Sequence, residues 1–189
     1  MPSEDNFTKH NRNRYCPDAS AWQTRDEQSA EQEVSDFAYA LIRLIKPEFV
    51  IETGCYLGDS TYAMASALKD NGFGDLISCD INQERVDIVN KRLKDNNLPG
   101  EVYCMKGVDM IRQHGLAADF GFVDSGNEDS RDEEVDLMIM NLAPGKMFMM
   151  HDTGPQFTGF SEIADIVDLP KVYFNTPRGL TLFMKPFVN

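Results

Sequence analysis

Several polar residues of this chain stand just beyond short apolar runs, where their types and spacing could do chemistry. Glu52-Thr53-Gly54-Cys55-Tyr56-Leu57-Gly58 follows the run Phe49-Val50-Ile51 and leads into a helix opening at Asp59-Ser60-Thr61. Glycines there permit a tight turn and let a ligand approach the backbone. The helix start adds free N–H donors and the positive end of a dipole, which suits a carboxylate or a phosphate. The spacing is not G-x-G-x-x-G, which argues against a dinucleotide. Asp80 ends the next run, Leu76-Ile77-Ser78-Cys79. A carboxylate in that place can accept hydrogen bonds from both ribose hydroxyls of a nucleoside, with Ile81 beside the base. A plain helix cap at Asp80 or Asn82 is the competing reading. Asp124 follows Phe120-Gly121-Phe122-Val123, and His151-Asp152 follow Lys146-Met147-Phe148-Met149-Met150.

These residues need elements that hold them at one edge. Residues 1–28 are polar and aperiodic apart from Tyr15 and Trp22, and read as an N-terminal arm or lid; 29–189 read as one domain. Ser29, with Gln32 three residues on, predicts a capping box opening the first helix, which Pro47 ends. Val34, Phe37, Ala38, Leu41 and Leu44 keep helical spacing along it. Helices are then expected at about Ser60–Leu68, around Val86, Val89 and Leu93, at Asp109–Gln113, around Val135, Met138 and Leu142, and near Phe160–Val167. A strand is expected at Val102–Met105, between the second and third of these. Such alternation implies right-handed crossovers and a mostly parallel sheet covered on both faces. Lys171–Phe174 and Leu180–Met184, joined by Asn175-Thr176-Pro177-Arg178-Gly179, predict a closing hairpin. Ligands of such sheets sit beyond the carboxyl ends of the strands, where these polar residues lie.

The charge balance excludes some partners. With 31 acidic and 18 basic residues the net charge is −13, which repels phosphate backbones and makes nucleic acid an unexpected partner. No apolar run approaches the length of a membrane span. The start of the chain lacks the apolar core of a signal peptide. The four cysteines form no C-x-x-C pair and three fall in or beside expected buried strands, as in a reducing, cytoplasmic compartment. The ten methionines read as core filler.

Taken in order, the motifs resemble those of the class I S-adenosylmethionine-dependent methyltransferases over about residues 29–184. Glu52 to Gly58 is similar to their first motif and Asp80 to the acidic residue of their second. Met105-Lys106-Gly107-Val108-Asp109 is similar to the segment that contacts adenine. Asp119 to Asp124 resembles the fourth motif, and Pro144-Gly145-Lys146 through His151-Asp152-Thr153 the fifth. The nearest flavour is the small O-methyltransferase-like group, family 24-like, whose fifth strand ends in His-Asp-Thr. The resemblance implies an α/β fold: a Rossmann-like, doubly wound, mostly parallel seven-stranded sheet with a C-terminal antiparallel hairpin. It implies S-adenosylmethionine as cofactor, with Glu52 and Gly54 at its amino-acid end and Ser60 assisting. Tyr56 and Gly58 belong to the same loop. Asp80 and Ile81 would hold the ribose and base, Gly107, Val108 and Asp109 would border the adenine, and Asp124 would face the cofactor.

In metal-dependent members, aspartates resembling Asp124 and Asp152 bind a divalent cation such as Mg²⁺, which orients a hydroxyl and lowers its pKa. A further Asp or Asn normally follows; here it is Thr153. His151 offers another route, as a neutral imidazole acting as general base. Strand alternation predicts that His151 and Asp152 point to opposite faces. Methyl transfer to a small-molecule hydroxyl, on a sugar or phenol-like group, is the expected function. A cofactor-binding regulatory module without turnover and an aminopropyltransferase-like enzyme are the alternatives. The acceptor pocket must come from residues 1–28, the 125–131 loop, the 153–160 loop or a second subunit of a homo-oligomer.

Overall fold

Five of the apolar runs form five mutually parallel strands: β1 (Phe49–Thr53), β2 (Asp75–Asp80), β3 (Glu101–Cys104), β4 (Ala118–Val123) and β5 (Leu142–His151). The structure, a computed structural model, describes residues 12–114, 118–126 and 128–187. The two last strands, β6 (Lys171–Phe174) and β7 (Leu180–Met184), pair antiparallel as the turn chemistry predicts. β7 also runs antiparallel to β5, so the last strand of the chain lies inside the sheet and β6 forms the edge. The strand order is β3-β2-β1-β4-β5-β7-β6. This is the doubly wound, Rossmann-like sheet with a C-terminal antiparallel hairpin that the motifs imply.

Alternation along the strands divides the core into two layers. Val50, Phe120, Phe122 and Met149 pack against α1 (Gln32–Ile45) and α2 (Asp59–Asn71). Ile51, Val123, Phe148 and Met150 face the other way, against α4 (Gly107–His114), α5 (Glu128–Asn141) and α6 (Thr158–Ile166). Val86, Val89 and Leu93 of α3 (Gln83–Asp95) close over Ala65 and Val102 on the first face. Strands buried on both faces are apolar throughout, which is why runs rather than alternation marked them in the sequence. Cys16, Cys55 and Cys79 are buried free thiols, and Cys104 is exposed. Among the described residues no helix is long and apolar enough to cross a membrane.

The first helix departs from expectation. It starts at Gln32 rather than at Ser29, and Glu31 stands at its N-cap without capping it. The Asp26 carboxylate accepts the N–H groups of Gln28 and Ser29 and the Ser29 hydroxyl, so these residues form a turn instead of a helix start. The Glu31 side chain is then free to reach across the molecule.

Phe148 of β5 and Phe183 of β7 stack with centroids 4.6 Å apart and are fully buried. Phe148→Ala should destabilise the fold by about 3–5 kcal/mol. Equilibrium urea unfolding should show a lower midpoint with an unchanged slope.

Candidate active site

Strand order reverses between β1 and β4, because the chain winds from β1 out through β2 and β3 and then returns to the other side of β1. A crevice must open there, beyond Thr53 and its partner Val123. Gly54 occupies this point with φ +82°, and a Cβ on it would lie 2.5 Å from the Asp124 carbonyl oxygen. Only glycine lets the loop after β1 and the end of β4 come this close. The N–H groups of Gly54 and Cys55 are tied to the Cys79 carbonyl at 3.0 and 2.9 Å, which fixes the loop to β2.

Beside Gly54 lies a cavity of about 340 Å³, bordered by Asp80, Ile81, Met105, Gly107 and Ser125. Ile81 is 76% exposed, a large apolar side chain left open at the mouth. Asp80 is buried, and its two carboxylate oxygens accept the N–H groups of Tyr56 (3.1 Å) and Asn82 (2.9 Å). Arg85 approaches it at 3.6 Å and lies over the Tyr56 ring. Tyr56 holds a positive φ of 46°, and its hydroxyl donates to Asp26. A smaller cavity adjoins on the other side of Gly54, between Tyr56, Gly58, Ser60 and Asp124. Gln28, Ser29 and Ala30 of the arm also line it. The arm is held by a bidentate Arg25–Asp59 pair at the start of α2 and by Asn13, whose side chain donates to the Thr176 carbonyl.

Four expected cofactor residues sit differently from the sequence reading. Glu52 is fully buried beneath the loop, and its carboxylate accepts the hydroxyls of Ser60 (2.5 Å), Ser78 (2.6 Å) and Thr61. It faces these hydroxyls and not the cavity; burial pushes its pKa up to about 7 against their pull. Ser60 is correspondingly engaged with Glu52. Val108 is buried in the first turn of α4 and Asp109 is exposed on its outer side, so Met105 and Gly107 form that wall instead. Gly107 lacks a Cβ because the Glu134 carboxylate occupies the space.

At the ends of β4 and β5 the acidic residues converge around one imidazole. His151 Nδ1 lies 3.0 Å from Asp124 Oδ1 and 3.4 Å from Asp152 Oδ1, while Nε2 lies 2.7 Å from Glu31 Oε2. The expected opposition of His151 and Asp152 does not occur. Asp152 is outside β5 and has φ +63°, which turns its carboxylate back towards the strand end. His151 is fully buried, and burial alone would lower its pKa, but Asp124, Asp152 and Glu31 push it up to about 10. Both ring nitrogens face carboxylates, so the ring is an imidazolium with no free acceptor. This arrangement leaves no ring nitrogen free for the neutral general base considered from the sequence. Burial works against the charge of Glu31 too, yet His151 and the Arg178 N–H hold its carboxyl below the usual range.

Asp124, His151 and Asp152 are close enough to suggest a metal centre. The donor set does not fit Mg²⁺. Arg178 takes both Asp152 oxygens, Nε at 2.7 Å and Nη2 at 3.0 Å, and His151 holds Asp124 Oδ1. Thr153, at the expected third position, accepts the Thr181 hydroxyl at 2.8 Å. Hard oxygen ligands are needed for this cation, and three of the four carboxylate oxygens are already in ion pairs.

Sequence reasoning missed Glu31, Arg131, Glu134 and Arg178. Arg131 is fully buried; its Nη1 donates to the carbonyls of Val123 (3.2 Å) and His151 (3.0 Å), and its Nη2 to that of Ser125. It ties the ends of β4 and β5 together. Glu134, one turn on, accepts the hydroxyls of Thr53 (2.8 Å) and Ser125 (2.7 Å). One signal was visible: Arg131 is the sole cation in the acidic run 128–136.

The family and the fold agree on what this crevice belongs to. The sequence profile of a family described as a methyltransferase domain matches residues 51–153, more than half of the chain. The chain belongs to that methyltransferase-domain family. Among solved structures it is similar to the O-methyltransferase TomG from Streptomyces achromogenes, in complex with SAM. That match has a TM-score of 0.73 at 15% identity and covers 84% of this chain and 82% of the other. It is also similar to a SAH-bound methyltransferase from Podospora anserina, with a TM-score of 0.74, 11% identity and coverage of 86% and 81%. An rRNA methylase from Streptococcus thermophilus gives 0.67 at 13% identity, covering 79% and 95%. These likenesses establish the fold. A search of curated proteins returns no significant match.

The raised His151 pKa carries a pH consequence. An unfolded histidine titrates near 6.5, so the His151 proton contributes its full stabilisation below that pH and loses it as pH rises towards about 10. Urea midpoints at pH 6, 8 and 10 should fall stepwise for the wild type. His151→Gln should flatten that fall; an equally steep fall in the variant would refute the assignment.

Proposed function

We propose that the chain binds S-adenosylmethionine across the crevice at Gly54 and transfers its methyl group to the hydroxyl of a small-molecule acceptor. One observation carries the reading. A nucleoside-sized cavity with a carboxylate at the end of β2 adjoins, through Gly54, a partly buried carboxylate at the end of β4 that lines the neighbouring cavity. The cavity suits the nucleoside end of the cofactor. Asp80 presents a fixed carboxylate to a ribose diol, and Ile81 and Met105 present apolar surface to a base. The smaller cavity under Gln28, Ser29 and Ala30 adjoins the N-terminus of α2, where a carboxylate is favoured.

When bound, S-adenosylmethionine supplies an electrophilic methyl group on a sulfonium. The chain's own residues orient the acceptor. Asp124 Oδ1 is held by His151, and among the described residues no hydrogen bond reaches Oδ2. Oδ2 would take the hydroxyl proton of a bound acceptor, while the methyl–sulfur bond of the cofactor would break to release its thioether. His151, Glu31 and Arg131 are positioning residues that fix the Asp124 carboxylate and the strand ends. The roof formed by the arm excludes water from the reacting atoms. The acidic surface favours neutral or cationic acceptors over polyphosphates.

Calorimetric titration with S-adenosylmethionine, S-adenosylhomocysteine and NAD tests the cofactor. Binding of the two sulfur compounds and not NAD is the expected result; silence with all three overturns the proposal. Asp80→Ala should weaken binding by about tenfold or more, since hydrogen bonds to a charged group contribute about 1.5–3 kcal/mol. Asp124→Asn should retain cofactor affinity and lose most turnover on any acceptor identified by screening.

A further inference from the structure

Arg178 is not a casual surface contact. It sits in the β6–β7 turn, yet its side chain is only 12% exposed and reaches back to the ends of β5 and the arm. Its guanidinium meets both Asp152 oxygens, and Nη1 donates to the Glu27 carbonyl. The guanidinium also lies over the Phe157 ring at 5.0 Å. Its backbone is pinned as well: the N–H donates to Glu31 at 2.8 Å, and the carbonyl accepts the Gly154 N–H at 2.8 Å. A planar fork in this setting recognises a carboxylate with a defined orientation, as a solvated lysine would not.

Cations already serve the carboxylates around it: Glu31 and Asp124 face His151, Asp152 faces Arg178, and the buried Arg131 guanidinium adds a further positive charge nearby. A dication added between Asp124 and Asp152 would be buried against the His151, Arg178 and Arg131 cations, which is unfavourable. It would also have to displace a bidentate guanidinium.

We propose that Arg178 is a built-in cation occupying the place of a divalent metal on Asp152, so that the site fixes its acceptor without metal. This rests on the methyltransferase reading above for its purpose, but not for its test. Arg178 acts through Asp152 and is a positioning residue: it holds Asp152 beside His151, which in turn holds Asp124.

The experiment titrates Mn²⁺ into the full chain and follows free Mn²⁺ by electron paramagnetic resonance, with and without S-adenosylhomocysteine. The wild type should bind no Mn²⁺ that Asp152→Asn removes, which separates the site from loose association with the acidic surface. Arg178→Gln should gain a site for one Mn²⁺ per chain, at least about tenfold tighter than any wild-type binding, and Asp152→Asn in that background should abolish it. Arg178→Lys, retaining the charge, should gain little. Stoichiometric wild-type binding lost in Asp152→Asn overturns the proposal. So does a folded Arg178→Gln chain that gains no binding. Should Arg178→Gln fail to fold, the wild-type and Asp152→Asn titrations decide alone. Failure of S-adenosylhomocysteine to bind would count against the methyltransferase reading and leave the Mn²⁺ result standing.

Discussion

Everything at the functional edge hangs on one buried ring. His151 is held between Glu31 and Asp124, with Asp152 close behind, and no water-exposed surface remains to it. An isolated charge in such a place would be intolerable, and an isolated carboxylate equally so; each is stable only because the others are present. The orientation of Asp124, the return of Asp152 and the docking of the arm through Glu31 are therefore one arrangement. Losing one member leaves its partners buried and unpaired. Such networks gain definition from completeness, since every polar group with a partner has a single good geometry.

The sheet supplies the setting. Five parallel strands bring Gly54, Asp80, Asp124 and His151 to one edge, and the reversal of winding between β1 and β4 opens the crevice there. Gly54 lets two backbone segments approach where any side chain would separate them. Beneath it, Glu52 and Glu134 act as internal braces: each gathers hydroxyls from neighbouring elements, tying the end of β1 to α2, β2 and α5. Carboxylates near a binding loop need not touch a ligand to matter for its shape.

What was legible in the sequence follows the range over which each signal acts. Buried strands and amphipathic helices leave local patterns, so the element order, both strands of the hairpin and the glycine turn after β1 were readable. The same holds for Asp80 and Asp124, because the end of a strand is a local landmark. Glu31, Arg131 and Arg178 were not readable, because a buried ion pair is defined by a partner far away in sequence. Glu31 resembled an ordinary residue of a helix start, and Arg178 a residue of a surface turn. Glu52 was misplaced for a related reason: spacing put it at the loop but could not reveal that three hydroxyls would claim its oxygens. The position of Asp152 depended on one backbone angle beyond the strand, where alternation no longer holds.

The distances along the chain between these partners have a consequence for how the protein comes into being. Glu31 and His151 are 120 residues apart, and Glu31 and the Arg178 N–H 147. Contacts between distant residues form late, after the closure of a long loop. During synthesis the sheet from β1 to β5 can assemble while the C-terminal segment is still being made. The site itself must wait for the turn that carries Arg178. An unfinished chain thus presents part of the sheet without the finished ion-pair cluster, which is completed only with the turn before β7.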